Sequence, residues 1–287
     1  MPYANHGDVS LYYETFGSPR SPALLLVNGL GSQCISYDTD WCRMFVDAGF
    51  FVLRFDNRDV GLSTKFDGAA GDPDRAGEPL YTLTDMAGDA LSILDAAGVD
   101  RAHVMGVSMG GMIVQKMAIL HPGRLLSVTS VMSTTGDPDV GRPAPEALEF
   151  LLTPLPPGRE EAIARHVAAN RVYGSPDHFD EERLRRRAAA AYDRANHPDG
   201  SAHQLQAILA DGSRTDQLRQ VRIPTLVLHG DRDRLVDISG GRRTAEAIPG
   251  ARFVPLEGMG HDYPPAYWPR IVSLVSSHAA SAATMQS

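Results

Sequence analysis

A serine between glycines is the pattern in this chain best suited to chemistry. It lies in the pentapeptide GVSMG at residues 106–110, between a short apolar run that favours a strand and residues 111–120, whose apolar side chains have helical spacing. A tight turn from strand to helix would expose the hydroxyl of Ser108, and the glycines would let strand and helix pack closely. The first turn of the helix would point backbone N–H groups at the reacting atoms. The pattern therefore predicts that Ser108 is a nucleophile.

A histidine near the end of the chain is the predicted base. A serine hydroxyl is a weak nucleophile unless a base accepts its proton and a third group orients that base. His261 follows the candidate strand 252–256, and the small residues GMG at 258–260 would let its loop fold back over the serine. His103 and His229 lie within or at the end of candidate strands, so we expect them to be structural.

The third group is expected in the loop after the candidate strand 225–229. That loop offers two carboxylates, Asp231 and Asp233. We take Asp233 as the acid that orients His261, because Asp231 directly follows Gly230 and fits a residue that accepts backbone N–H groups at a turn. The chain order is then serine, aspartate, histidine.

A serine that attacks a carbonyl group also needs an oxyanion hole, a pair of N–H donors for the negatively charged oxygen of the intermediate. One donor is expected from Met109, which follows the serine. The other is expected from the loop 28–31, sequence NGLG, where Leu30 is the candidate donor and the glycines allow close approach. The alternative for this loop is an ordinary turn from strand to helix. It lacks the third glycine of a dinucleotide-binding fingerprint.

A second polar segment, RFDNRDVGLS at residues 54–63, follows another candidate strand. Asp56 and Arg58 are residue types that can act in catalysis, but we favour a buried polar network that supports the loop 28–31. The histidines and the two cysteines, Cys34 and Cys42, lack the spacing of metal ligands. The sequence therefore predicts neither a metal nor a cofactor.

Apolar runs alternate with amphipathic stretches along most of the chain. This alternation predicts an α/β fold with a mostly parallel central sheet and helices on both faces. The predicted strands are residues 9–16, 23–27, 50–55, 101–105, 125–132, 225–229 and 252–256, and the predicted helices of this core are residues 38–48, 84–97, 111–120, 238–248 and 266–278.

The pattern changes between residues 133 and 214, where prolines are followed by helical stretches rich in alanine and arginine, without a buried-strand run. We predict a core of residues 1–132 and 215–287 and a helical cap of residues 133–214. The cap should cover the site, because loops at the carboxyl ends of parallel strands lie over the ligand crevice. The alternative is a long surface excursion. Four apolar residues of this region could line an apolar pocket or form the core of the cap: Phe150, Leu151, Leu152 and Leu155.

The composition narrows the class of protein. A net charge of −8 over 287 residues gives no electrostatic support for nucleic-acid binding. The basic cluster of residues 183–187 follows acidic residues, as expected of a solvated helix. The first residues lack a signal-peptide pattern, and no apolar run reaches the roughly 18 residues of a membrane span. Two cysteines give no disulfide framework. We therefore expect a cytoplasmic protein that does not contact a membrane.

The serine pentapeptide with Gly111, the 54–63 segment and the GMGH sequence at 258–261 together resemble the α/β-hydrolase superfamily, over residues 9–278. The chain is most similar to bacterial carboxylesterases of the aclacinomycin methylesterase type, which remove a methyl group from a polyketide ester. Many relatives have His-Gly where this chain has Asn28-Gly29, so the packing of that loop would differ. The resemblance implies ester hydrolysis of a small molecule with an apolar moiety.

Our hypothesis from the sequence is a cofactor-independent serine hydrolase that forms an acyl-enzyme. A carbon–carbon bond hydrolase or a perhydrolase could use the same three residues. Thioesters or lactones would only change the leaving group. A non-catalytic small-molecule receptor is the alternative from a different class, and it would bind its ligand without turnover.

Overall fold

An eight-stranded sheet forms the centre of the protein in the computed structural model, which describes residues 2–66 and 78–286. Its strand order is β1-β2-β4-β3-β5-β6-β7-β8, with β1 and β2 antiparallel to their neighbours and all other pairs parallel. The strands are β1 (Tyr3–His6), β2 (Val9–Phe16), β3 (Ala23–Val27), β4 (Phe51–Phe55), β5 (Ala102–Val107), β6 (Leu125–Val131), β7 (Thr225–Gly230) and β8 (Arg252–Leu256). The predicted α/β fold is confirmed.

Helices cover both faces of the sheet. They are α1 (Thr39–Asp47), α2 (Leu83–Ala96), α3 (Met109–Leu120), α4 (Pro145–Leu152), α5 (Arg159–Tyr173), α6 (Glu181–Arg194), α7 (Pro198–Asp211), α8 (Thr215–Leu218), α9 (Ser239–Ala247) and α10 (Trp268–Gln286). Along β3, Leu24 and Leu26 pack with α1 and α10, whereas Leu25 packs with α2 and α3. Every residue of β3 is buried, which explains its uninterrupted apolar sequence.

Five helices, α4 to α8, lie between β6 and β7, and the described residues of this insertion contain no strand. Pro145, one of the early prolines of this region, begins α4 instead of interrupting a helix. Pro198 begins α7 in the same way, and a proline in the first turn of a helix gives up an N–H that has no partner there. The division into a core of 1–132 and 215–287 and a cap of 133–214 stays a prediction.

The remaining differences lie at the ends of elements. The short edge strand β1 was missed, because only Ala4 among its four residues is buried. The strand before the serine extends to Val107, and the last helix continues to Gln286 instead of ending at His278. No helix among the described residues is both long enough and apolar enough to span a bilayer.

Candidate active site

Ser108 lies at the turn between β5 and α3, and its backbone is strained. Its φ of 56° is in the left-handed region, which few residues other than glycine adopt. A Cβ on Gly106 would lie 2.0 Å from the Gly110 carbonyl oxygen, and one on Gly110 would lie 2.1 Å from the Val27 carbonyl oxygen. Any larger residue would therefore push α3 away from the sheet and change the position of the serine.

The structure brings Ser108, His261 and Asp233 together. The Oγ of Ser108 lies 3.0 Å from Nε2 of His261, and Nδ1 of His261 lies 2.7 Å from Oδ2 of Asp233. An ionised carboxylate can only accept, so the proton of a neutral imidazole lies on Nδ1 and the lone pair of Nε2 faces the serine hydroxyl. The Asp233 side chain is fully buried, and that of His261 is 8% exposed.

Several hydrogen-bond donors keep Asp233 ionised. Burial raises its pKa, but the nearby His261 and the hydrogen bonds from His229 and His261 outweigh this effect and lower the pKa from 3.8 to about 2. Its Oδ1 accepts the N–H groups of Leu235 at 2.9 Å and Val236 at 2.8 Å. His229, expected to be structural, donates from Nε2 to the Val236 carbonyl at 2.8 Å and lies 3.4 Å from Asp233.

Asp231, the other acidic candidate of this loop, has a different partner. Its Oδ1 accepts the Gly258 N–H at 2.7 Å, so it connects the loop after β7 to the loop that carries His261. The structure therefore brings Asp233, and not Asp231, to the imidazole of His261.

The predicted oxyanion loop lies beside the serine. A Cβ on Gly29 would lie 3.3 Å from the Cβ of Ser108, so the backbone passes close to the reacting hydroxyl. Within the part of the chain that the structure describes, the N–H groups of Leu30 and Met109 donate no turn, loop or cap hydrogen bond. Both candidate donors thus lie in segments next to Ser108. Among the described residues, no carbonyl group of a turn, loop or cap accepts their N–H groups.

The polar segment after β4 is buried, but the side chains of Asp56 and Arg58 bond to other parts of the chain than the loop 28–31. Asp56 accepts the N–H of Cys34 at 2.6 Å and pairs with Arg194 of α6 at 2.8 Å, and it is fully buried. Arg58 does not contact the loop with its guanidinium group. It forms two hydrogen bonds with Asp89 of α2, at 2.6 and 2.7 Å, so its side chain fixes a helix.

Gln204, a buried side chain of α7, holds the loop 28–31, and no sequence pattern predicted it. Its Oε1 accepts the Gly31 N–H at 2.8 Å, and its Nε2 donates to the Arg58 carbonyl at 2.8 Å. Asn57 donates to the Asn28 carbonyl at 3.1 Å from the other side. The loop beside Ser108 is therefore held by the core and by the insertion together.

The insertion also fixes the loop of the histidine. The Tyr173 carbonyl accepts the His261 N–H at 2.6 Å, and the Ser175 hydroxyl oxygen accepts the Gly260 N–H at 2.9 Å. The carboxylate of Asp262 accepts the Ser175 N–H at 2.9 Å. Glycine, serine and tyrosine carry no sequence signal for such contacts, because their partners lie far away along the chain.

None of the four apolar residues singled out in the insertion is fully buried, and Leu151 is half-buried. Leu152 and Leu155 are 60% and 43% exposed. Phe150 is half-buried, with the guanidinium group of Arg165 lying 5.5 Å from its ring centre. This region therefore presents apolar surface.

A serine on a strained turn from strand to helix, at the carboxyl edge of a mostly parallel sheet, defines a class of hydrolytic enzymes. A model of the alpha/beta hydrolase fold family matches residues 22–263, and the chain belongs to that family.

Two curated relatives are similar over nearly their whole length. The rhodomycin D methylesterase DauP of Streptomyces sp. (strain C5) is 31% identical, over 96% of this chain and 96% of its own. The putative carbamate hydrolase RutD of Caulobacter sp. (strain K31) is 28% identical, over 94% and 97%. The predicted resemblance to methylesterases is confirmed, and the protein is an ester hydrolase of the family.

A solved structure supports the fold. The enol-lactonase from Burkholderia xenovorans LB400 superposes with a TM-score of 0.76 over 97% of this chain and 100% of its own, at 24% identity. At that identity the likeness concerns the fold alone.

Proposed function

We propose that the protein is a cofactor-independent serine esterase that cleaves a methyl ester of a bulky natural product through an acyl-enzyme. The observation that carries the proposal is the chain of two hydrogen bonds, 3.0 Å and 2.7 Å long, that joins Ser108 to His261 and His261 to Asp233. A base and an orienting acid at these distances are what a serine needs to become a nucleophile.

In the first half of the reaction, Oγ of Ser108 attacks the ester carbonyl while Nε2 of His261 takes its proton. The carbonyl oxygen becomes an oxyanion, which the N–H groups of Leu30 and Met109 stabilise. Asp233 stabilises the imidazolium ion and remains ionised, consistent with its pKa of about 2. His261 then gives the proton to the leaving alkoxide, which departs as methanol, and the acyl group stays on Ser108.

In the second half, water attacks the acyl-enzyme and His261 again accepts the proton. The carboxylic acid leaves, and Ser108 recovers its hydroxyl hydrogen from His261. Each step uses the same pair of hydrogen bonds, so no metal or organic cofactor takes part in the proposed cycle.

The relatives support the substrate class. DauP, by name a rhodomycin D methylesterase, is similar over almost the whole chain. The insertion supports a cap over Ser108, because Tyr173 and Gln204 contact the two loops that flank the serine.

Methanol release from a polyketide methyl ester tests this proposal, with p-nitrophenyl acetate, butyrate and octanoate as general ester probes. Wild type should turn over repeatedly, and a fluorophosphonate should label the peptide that contains Ser108. The variant Ser108→Ala should lose both. Ser18→Ala is the matched control, because Ser18 is exposed in the loop before β3. That loop lies at the amino ends of the parallel strands, whereas Ser108 lies at their carboxyl ends.

The competing functions give different results. A carbon–carbon bond hydrolase would leave the ester probes intact while the fluorophosphonate still labels Ser108. A receptor would bind the ester without turnover in wild type and in Ser108→Ala alike. Methanol release that persists in Ser108→Ala would refute the proposed nucleophile.

A further inference from the structure

Two histidines and an aspartate meet away from the catalytic serine, between α7 and the segment after β4. Nε2 of His197 lies 3.4 Å from Oδ1 of Asp59, and Nδ1 of His203 lies 3.1 Å from Oδ2 of the same carboxylate. The donor atoms of the three side chains all lie within 4.8 Å of one another. The side chains of Asp59 and His203 are buried, and that of His197 is 17% exposed.

The backbone around the cluster makes this close approach possible. A Cβ on Gly200 would lie 2.2 Å from the Asp59 carbonyl oxygen, so only a glycine lets the first turn of α7 reach this segment. Asp59 itself has a φ of 71°, a conformation that costs energy for a residue with a side chain. His197 precedes the first residue of α7 and His203 lies in its second turn, so the start of one helix supplies both imidazoles.

We propose that Asp59, His197 and His203 form a binding site for a single zinc ion. Imidazole nitrogens and a carboxylate are ligands that zinc prefers, and a water molecule would complete its tetrahedron. With bonds of about 2.0–2.1 Å, two ligands of a tetrahedral zinc lie about 3.3–3.4 Å apart. The distances of 3.4 and 3.1 Å run to different oxygens of the Asp59 carboxylate, and the three donor atoms lie within 4.8 Å of one another. A small adjustment of the side chains would bring one oxygen and the two nitrogens to the spacing of a tetrahedral ion.

One ring nitrogen of the cluster lies near Asp59 without forming a hydrogen bond, which points to a ligand at this site. Nε2 of His197 is buried and forms no hydrogen bond among the described residues. Such an orphaned nitrogen is costly unless an ion or a water molecule satisfies it. Nδ1 of His203 can serve as the second nitrogen ligand when its ring proton moves to Nε2.

The site would stabilise the part of the insertion that contacts the oxyanion loop. Gln204 follows His203 on α7 and accepts the Gly31 N–H at 2.8 Å. Zinc bound to both histidines and to Asp59 would tie the start of α7 to the core segment after β4. The proposed role is therefore structural: the ion fixes the helix that carries Gln204.

Metal binding can be measured without reference to esterase activity. The purified full chain is stripped with EDTA, desalted, and titrated with zinc by calorimetry, and its melting temperature is followed with and without zinc. We expect one zinc per chain, a higher melting temperature with zinc, and a cobalt complex with the visible absorption of a tetrahedral ion.

Three variants locate the site. Because His197 and His203 supply ligands, His197→Gln and His203→Gln should each weaken zinc binding by at least about 100-fold, more than the loss of a residue that only orients a ligand. His121→Gln is the control, since His121 lies at the far end of α3 and is half-exposed. It should bind zinc as wild type does. His197→Gln alters the more exposed ligand, so it keeps the test intact if His203→Gln does not fold.

Two results would overturn the proposal. The first is the absence of saturable binding of one zinc per chain by the stripped wild type. The second is equal zinc affinity in His197→Gln, His121→Gln and wild type, which would assign the metal to adventitious surface binding.

Discussion

Replacing Asp233 with asparagine should reverse the tautomer of His261. In the wild type, Oδ1 of Asp233 accepts the N–H groups of Leu235 and Val236, at 2.9 and 2.8 Å, while Oδ2 faces Nδ1 of His261 at 2.7 Å. The amide oxygen of Asn will keep the two backbone donors, so its NH₂ group must face the imidazole. An NH₂ group only donates, so Nδ1 has to accept and the ring proton moves to Nε2. A protonated Nε2 cannot take the proton of Ser108.

The structure also sets the size of the effect. The opposite amide orientation would place the NH₂ group against two backbone N–H groups, and leaving those two donors unsatisfied costs about 1–3 kcal/mol each. The wrong tautomer therefore dominates. In serine hydrolases of another fold, the same substitution lowers kcat about 10⁴-fold, which corresponds to about 5 kcal/mol. KM should change little, because the buried Asp233 side chain has no surface for a substrate.

Steady-state hydrolysis of p-nitrophenyl butyrate measures kcat and KM for this variant, with circular dichroism to verify the fold. Asp231→Asn is the matched control: it removes the same charge from the same loop, and its amide oxygen can still accept the Gly258 N–H. It should remain close to wild type. A folded Asp233→Asn within about tenfold of the wild-type kcat would refute the tautomer argument. A large loss in Asp231→Asn alone would transfer the role to that residue.

Two further predictions concern stability. Gly110→Ala should lower the free energy of unfolding by about 1–3 kcal/mol or more, and the melting temperature with it, because its Cβ would meet the Val27 carbonyl at 2.1 Å. Gly123→Ala is the control: a Cβ there would have no atom within 4 Å, so the variant should melt as wild type does in the same thermal assay. The second prediction concerns Asp233, whose pKa in the folded protein is lowered from 3.8 to about 2. Its ionised carboxylate stabilises the fold by on the order of 2 kcal/mol above about pH 4, and this contribution is lost as the pH falls through about 2. Urea unfolding across that range should show a steeper loss for wild type than for Asp233→Asn, and equal slopes would contradict the shift.

Local sequence patterns were sufficient for the core strands and for most residues of the candidate site. Parallel strands such as β3 are buried on both faces, so their apolar runs stand out without knowledge of the fold. Ser108 and His261 were predicted because each lies beside small residues directly after a strand. Asp233 could be preferred to Asp231 from turn chemistry, but the 2.7 Å contact with His261 depends on how two distant loops meet.

The rest of the site depends on contacts that have no local signature. Gln204 is an ordinary glutamine of α7 until the fold places it 2.8 Å from the Gly31 N–H, 173 residues earlier. The same applies to the proposed zinc ligands, since His203 and Asp59 are 144 residues apart and the usual ligand spacing is short. The expectation of no metal site rested on such spacing, which cannot detect ligands from separate segments.

The insertion contacts both loops that flank the serine, and this limits how a substrate can enter. Gln204 accepts a hydrogen bond from Gly31 of the oxyanion loop, and Ser175 accepts one from Gly260 of the loop of His261. A rigid movement of the whole insertion would break these two contacts and the hydrogen bond from the His261 N–H to the Tyr173 carbonyl, at about 1 kcal/mol for each. It would free three backbone N–H groups near Ser108 and His261. Opening of that kind would disturb the hydrogen bonds that the proposed mechanism needs. The insertion therefore helps to hold the two loops that the proposed mechanism uses, whether or not it also acts as the predicted cap.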